Sequence, residues 1–290
     1  MEKNIFVIIV TFNGEQWLHK NLQALRESNY PVKTIVIDNC STDNSVAIIK
    51  SYPEIDFIAS SSNLGFGKAN NIAIQKALDR QADYLFLLNQ DAWIFPNTIE
   101  RLIKVAEHNS TFGIISPVHF SGDAIAIDEN FAMFWSRKMQ TISDEVDEVP
   151  FVNAAAWLVP SQVFKKVGVF ESLFLHYGED RNFTNRTKFH NYKTVVVKNA
   201  KICHDRIITR DFNKDIVQSK FQMLNQVLDV NDSLFLGYLK AFQSVIGLPK
   251  YFFKSYGVKL SFKLFSILMM YFMRLKLMVF TVIKKRNSYK

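Results

Sequence analysis

Four acidic side chains stand where an apolar segment stops. Asp91 closes the run Tyr84-Leu-Phe-Leu-Leu-Asn-Gln-Asp91, and Asp38 closes Thr34–Ile37. The pair Glu179-Asp180 follows an aromatic run containing Phe170, Phe174, His176 and Tyr177. A carboxylate buried without a partner is strongly disfavoured, so each must meet water, a cation or a donor. Asp91, with Asn89 and Gln90 before it, suits a hard cation, which takes oxygen ligands from one or two carboxylates plus substrate phosphates. Asp38 can accept hydrogen bonds from a nucleobase or ribose, although a turn and helix cap accounts for the following Ser41–Asp43. Adjacent residues on a helix point about 100° apart. One member of Glu179-Asp180 can therefore face a pocket as a general base while the other orients it. A helix N-terminus favours such acids without any chemistry at all. His204, between Cys203 and Asp205, is a candidate contact for metal or phosphate, or a satisfied structural histidine.

The elements that must position these groups follow from the apolar pattern. Ile5–Val10, Thr34–Ile37, Ile55–Ala59 and Tyr84–Leu88 are near-continuous apolar strands, alternating with helical patterns over 15–28, 46–51 and 68–80. That alternation predicts an α/β fold with a mostly parallel sheet covered on both faces. Ligands in such folds bind beyond the carboxyl ends of the strands, where Thr11, Asp38, Asn63 and Asp91 all fall. Between the third strand and its helix lies Asn63-Leu-Gly-Phe-Gly-Lys-Ala-Asn-Asn71, a G-x-G-x-x-N loop. It approaches the dinucleotide fingerprint and supports an alternative reading as an NAD(P)-dependent oxidoreductase. Against that, Asn70 occupies the third glycine's place, and two βα units precede the loop. Further strands are expected at 114–120, 154–159 and 194–197. The polar and aromatic stretch 121–149 is expected to form a mobile flap, and residues 168–186 to pass from a turn into a helix.

The chain has 290 residues and is 48% hydrophobic, which accommodates a large core and argues against disorder. Its only two cysteines, Cys40 and Cys203, form no CxxC spacing, so neither a disulfide framework nor a zinc site is indicated and a reducing, cytoplasmic setting fits. The opening MEKNIFVIIVTFN suits a first buried strand better than a signal peptide. The net charge of +8 is unevenly placed. Eleven Lys or Arg and no acid follow Asp232, while 24 basic residues face 27 acidic ones before it. A near-neutral body with a basic tail suggests a polyanionic surface as partner.

Taken together, TFN at 11–13, DNCSTD at 38–43, NLGFGKANN at 63–71, LLNQDA at 87–92 and GVFESLFLHYGED at 168–180 resemble the family 2 glycosyltransferases in order and spacing, over residues 4–206. The glycine loop and NQD are most similar to the bacterial rhamnosyltransferase-like members. The resemblance implies a GT-A fold over 1–216, an inverting mechanism, and a TDP- or UDP-linked nucleotide-diphosphate sugar donor, with rhamnose first among the sugars. It implies a divalent cation, Mn²⁺ or Mg²⁺, and a glycan or lipid-linked acceptor in surface polysaccharide synthesis. Thr11, Asn13 and Asp38 match nucleotide-holding positions. Asn63, Gly65 and Lys68 match the loop beside them, and Gln90 joins this donor set. Asp91 matches the last acid of a D-x-D-like cation motif, His204 stands near a histidine of the relatives, and Asp180 matches the catalytic base. Trp157, His176 and Glu179 are expected around the acceptor or sugar. Two departures stand out. NQD leaves one acid for the cation, and Arg181-Asn182 follow Asp180 where many relatives have a further acid.

Residues 217–290 are expected to form a basic, apolar helical region. Lys259 to Arg286 is expected as one long helix, with Lys259, Lys263, Arg274 and Lys285 on one stripe. The apolar run 264–283 is nearly long enough to span a bilayer. Arg274 and Lys276 sit near its middle, where each would cost about 2.5–3.5 kcal/mol. An in-plane helix on the inner face of the cell membrane fits better, reached through residues 233–290. Packing on the catalytic domain or in a homo-oligomer is the other reading, and a catalytically silent membrane-docking protein the remaining one. Nucleic acid is not expected, because the basic stripe is interleaved with aliphatic surface.

Overall fold

Residues 2–206 and 210–290 are described by the computed structural model. Four strands, β1 (Ile5–Thr11), β2 (Lys33–Asp38), β3 (Asp56–Ala59) and β4 (Tyr84–Leu88), lie parallel in the order β3-β2-β1-β4. Their unbroken apolar sequences follow from burial on both faces. Successive β1 side chains enter two different cores. Ile5, Val7 and Ile9 pack with α1 (Glu15–Arg26), α2 (Ser45–Lys50) and, further along the sheet, α4 (Thr98–His108). Phe6 and Ile8 pack on the other face with Ala69, Ala73, Ile74 and Ala77 of α3 (Phe66–Asp79).

Beyond β4 the direction changes. The sheet continues as β9 (Ala156–Pro160), β6 (Phe112–Ser121), β10 (Lys193–His204), β8 (Val146–Val149) and β7 (Gln140–Ser143), with β5 (Ala92–Ile94) on the end of β10. Only β6 and β10 are parallel in this half, and β9 runs antiparallel to β4 and β6. The sheet is therefore mixed, not mostly parallel as expected. Parallel neighbours need a crossover, usually a helix, whereas the chain between β6 and β9 makes a short helix, α5 (Glu129–Trp135), and a hairpin. The expected flap over 121–149 is thus part of the framework. Asp128 caps α5 by accepting from the Phe131 amide (2.8 Å), and β8 pairs with β10.

Two helices flank this half, α6 (Ser161–Val167) and α7 (Glu179–Phe189). The remainder is helical: α8 (Phe212–Leu228), α9 (Leu234–Leu277) and α10 (Val279–Ser288), around a third core of Met223, Leu224, Val227, Leu264 and Leu268. The expected division at 216/217 falls inside α8. The single helix expected over 259–286 is broken at Met278, where α9 and α10 meet at 69°. A second kink in α9 lies at Gly257, whose φ of +70° is costly for any other residue. The expected basic stripe is broken with it. Lys285 pairs with Glu171 (2.9 Å), and buried Arg286 donates to the carbonyls of Val227, Asp229 and Asp232. Among the described residues no single helix is long and apolar enough to cross a membrane, though α9 and α10 together meet the length and composition.

Candidate active site

The carboxyl ends of β1, β2 and β4 and the loop before α3 form one polar rim, held by side chains that bridge the loops. Thr11 is paired in register with Asp38. Its hydroxyl donates to Gln90 Oε1 (2.6 Å), which also accepts from the Phe12 amide (2.9 Å). Gln90 thus spends its carbonyl on the β1 loop. Asn13, at φ +49°, accepts from the Thr42 amide (2.8 Å) and donates its own amide to Ser41 Oγ (2.9 Å). Asp38 is buried and accepts from the Ser41 amide (3.1 Å). Asn63 Oδ1 accepts from the Gly65 amide (2.9 Å) and from Asn39 Nδ2 (3.0 Å). Gly65 is sterically required, because a Cβ there would lie 2.0 Å from the Leu175 carbonyl oxygen and its φ is +77°. Lys68 sits in the first turn of α3, exposed, rather than in the loop.

Asp91 and His204 meet at the ends of elements far apart in sequence. The β5–β10 ladder pairs Ala92 with His204, which brings His204 Nε2 to 3.4 Å from Asp91 Oδ1. His204 is buried, and its Nδ1 has no partner among the described residues. Two cis ligands about 2.1 Å from one octahedral ion would be roughly 3 Å apart, so the pair fits a shared divalent cation. Among the described residues no group of three or more His, Cys, Asp or Glu could hold a metal. The other ligands would therefore come from substrate phosphate and water.

A cleft of about 1020 Å³ opens beside this rim. Asn89 and Phe66 mark its near end, Glu179 and Asp180 its flank, and polar side chains of α8 its far wall. The turn before α7 aims the acids. Tyr177 and Gly178 both have positive φ (+71° and +91°), and Asn225 Nδ2 of α8 holds the Gly178 carbonyl (2.8 Å). Burial, then the neighbouring Asp180 carboxylate, push the Glu179 carboxyl up to about 7. Glu179 is 4% exposed, and its Oε2 has no partner among the described residues. Asp180 keeps a face open to the cleft, yet burial raises its pKa as well, against the Arg181 amide, which donates to Oδ1 (2.7 Å) and pulls the other way. His176 faces the same space, where desolvation and then the Lys214 charge lower its pKa.

Trp157 is a correction. It is wholly buried in β9 and stacked near Phe183 (6.2 Å between centroids), so it belongs to the core, not to an acceptor pocket. An apolar strand buried on both faces gives no sign of which side a tryptophan takes. Two further residues, Asn39 and Asn21, hold the framework of the rim. Asn39 Oδ1 accepts from the Leu64 amide (2.8 Å), which joins the β2 and β3 loops. Asn21 lies fully buried between Leu18, Leu22 and Leu25, and donates to the carbonyls of Asn89 (3.0 Å) and Ala92 (2.5 Å). A polar residue in the apolar phase of a helix was the available signal for Asn21.

The site thus combines a polar rim at the strand ends, a carboxylate–imidazole pair and an acid-flanked cleft. Residues 6–167 match the family described as glycosyl transferase family 2, and the chain belongs to that family. Among curated relatives, it is 22% identical over 231 residues to an N-acetylglucosaminyl-diphospho-decaprenol L-rhamnosyltransferase of Mycobacterium tuberculosis, covering 69% of this chain and 75% of that one. It is 25% identical over 217 residues to the dTDP-rhamnosyl transferase RfbF of Shigella flexneri, covering 70% of each. Two solved structures share the GT-A fold. A Pyrobaculum calidifontis mannosyltransferase in complex with GDP-Man and Mn²⁺ has a TM-score of 0.63 at 14% identity, over 99% of this chain and 85% of that one. Staphylococcus aureus TarS has a TM-score of 0.61 at 16% identity, over 86% of this chain, which spans only 43% of the TarS chain. The protein is a glycosyltransferase, and the glycine loop is accordingly part of a transferase, not a nicotinamide fingerprint.

Proposed function

We propose that this protein is an inverting transferase that moves a hexosyl group, rhamnose first among candidates, from a nucleoside diphosphate sugar to a hydroxyl of a glycan or lipid-linked glycan. The observation that carries the reading is the cleft itself, with Asp180 open to it beside the polar rim at the strand ends. Asp180 is the general base. It takes the acceptor hydroxyl's proton as that oxygen bonds to the anomeric carbon, and the bond to the nucleoside diphosphate breaks on the opposite face. Glu179 and His176 contact the acceptor or sugar. Thr11, Asn13, Asp38, Asn63, Gly65 and Lys68 hold the nucleotide side, and Gln90 acts by fixing the β1 loop. Asp91 and His204 would hold the divalent cation, which when bound stabilises the negative charge developing on the leaving diphosphate.

The protein acts at an anionic membrane surface on its cytoplasmic side. Exposed Phe262, Met270, Leu277 and Phe280 beside exposed Lys259, Arg274 and Lys276 on α9 and α10 support this, as an apolar face flanked by cations suits an anionic leaflet. α8, which straddles residue 216, belongs with the reacting part as a wall of the cleft, and the docking face lies on α9 and α10.

A thermal-shift panel of UDP, TDP and GDP with Mn²⁺ tests the reading. A metal-dependent rise with one nucleotide, together with loss of transfer in Asp180→Asn at unchanged nucleotide binding, is the expected result. No response to any nucleotide, or full transfer by Asp180→Asn, would sink it.

A further inference from the structure

Glu179 and Asp180 open α7, and the chain that aims them is a strap over residues 170–178. Its backbone is not relaxed. Tyr177 has a φ of +71° without being a glycine, directly before Gly178 at +91°. Such backbone persists only where the surroundings over-determine it. From one side α3 grips the start of the strap. The Phe170 amide donates to Asn71 Oδ1 (2.9 Å), and Asn71 Nδ2 donates to the Phe170 carbonyl (2.8 Å).

From the other side the grip comes from α10. Glu171 is buried in the strap, where its Oε1 accepts from the Leu173 amide (3.0 Å). The same oxygen pairs with Lys285 of α10 (2.9 Å), and Oε2 accepts from the hydroxyl of Tyr289, just past α10 (2.6 Å). Hydrogen bonds to an ionised carboxylate are the strong and directional kind. Tyr289 is itself buried and meets α7 at two further points. Its carbonyl accepts from His190 Nε2 (2.8 Å), and the Arg186 guanidinium lies 5.0 Å from its ring centroid. Arg186 donates to the carbonyls of Val167 and Val169, immediately before the strap (both 2.7 Å), and to Asn182 Oδ1 (3.0 Å). These partners are neutral. Burial lowers the Arg186 pKa to about 10, and Tyr289 and Glu171 pull the other way. The Glu171 charge thus steadies both the helix that carries the acids and the strap that leads into it.

Resting on the transferase reading with Asp180 as base, we propose that Tyr289 and Lys285 are positioning residues of the reaction, which act through Glu171 to fix the strap that aims Asp180 into the cleft. No residue of α10 lines the cleft, so the effect is on aim, not on substrate contact.

Two measurements test this. Tyr289→Phe keeps the ring and the carbonyl and removes only the hydroxyl, and Lys285→Ala removes the cation. Ile103→Val, in the core face of α4, controls for a general loss of stability. Peptide-resolved hydrogen exchange should quicken over 170–183 in the first two variants and not in the control. In steady-state transfer, kcat should fall by about tenfold or more in both, since a small misplacement of a reacting group is enough. Mn²⁺-dependent TDP or UDP binding should stay within about twofold, and Lys285→Arg should recover most of what Lys285→Ala loses. In an Asp180→Asn background, Tyr289→Phe should change the residual kcat by no more than about twofold, because its effect passes through the base. Unchanged exchange over 170–183 would overturn the proposal. So would a nucleotide-binding loss as large as the kcat loss, or a tenfold effect that persists undiminished in Asp180→Asn. A wild type that transfers no sugar, or Asp180→Asn that transfers like the wild type, refutes the transferase or base reading and the catalytic role with it, whereas quickened exchange would still show α10 holding the strap.

Discussion

Glu179→Gln should stabilise this protein above neutral pH and do little in acid. In the folded chain the Glu179 carboxyl is raised from an ordinary value of 4.5 to about 7, first by burial and then by Asp180. Below about pH 4.5 folded and unfolded chains both hold the proton, and the group has no effect. Between 4.5 and 7 the folded chain keeps a proton that the unfolded chain has released, so stability falls as pH rises. Above 7 the full cost is present. Going from 4.5 to about 7, at 1.36 kcal/mol for each tenfold change in proton affinity, gives roughly 3 kcal/mol. Glutamine fills the same space and never ionises. The assay is urea unfolding of both proteins from pH 4.5 to 8.5 at constant ionic strength. The variant should gain up to about 3 kcal/mol over the wild type, or about 5–10 °C in Tm, nearly all of it appearing between pH 5 and 7.5. A difference that is flat with pH would refute the reasoning, because it would mean that Glu179 titrates normally and is not held in a desolvated flank of the cleft. The same measurement on Asp180→Asn adds a check, since losing that neighbouring charge should move the Glu179 transition to lower pH.

The other predictions concern single contacts. Asp180→Asn should lower transfer by about 10²–10⁴-fold, the usual range for a general base, measured as sugar released from the donor to acceptor. Gly65→Ala should cost about 1–3 kcal/mol and weaken nucleotide binding, because its Cβ meets the Leu175 carbonyl at a φ of +77°; a melt equal to the wild type's would contradict the close approach. Asp91→Asn and His204→Ala should each abolish the Mn²⁺-dependent part of nucleotide stabilisation, out of a total of about 2.7 kcal/mol at a hundred-fold excess over Kd; persistence of that part in both variants would remove them as cation ligands. Tyr289→Phe should cost about 1–3 kcal/mol, since its hydroxyl donates to buried Glu171 (2.6 Å). That loss should shrink under acid. Burial pushes Glu171 up, but Tyr289, Lys285 and the Leu173 amide outweigh it and hold the carboxyl low. The contact's stability is therefore present above the ordinary glutamate range and lost as pH falls through the lowered value.

The sequence by itself determined the parallel half of the sheet and the rim above it. Near-continuous apolar strands can be satisfied only between two covered faces, so β1 to β4 and the polar residues that end them follow from local pattern alone. Thr11, Asp38, Asn63 and Asp91 were therefore legible as strand-end residues. What tertiary structure decided depends on pairing between distant segments. That His204 meets Asp91 follows from the antiparallel ladder of β5 with β10, which no periodicity announces. Trp157 was misplaced because both faces of β9 are buried, leaving no alternation to separate core from cleft. The flap became a hairpin because β8 found an edge to pair with on β10. The terminal helices, expected as an appendage, supply a wall of the cleft. Their packing turns Asn225 toward the Gly178 carbonyl and Lys214 toward His176. A helix's own residues specify which face is apolar, but the surface that covers that face is chosen only when the whole chain closes on itself.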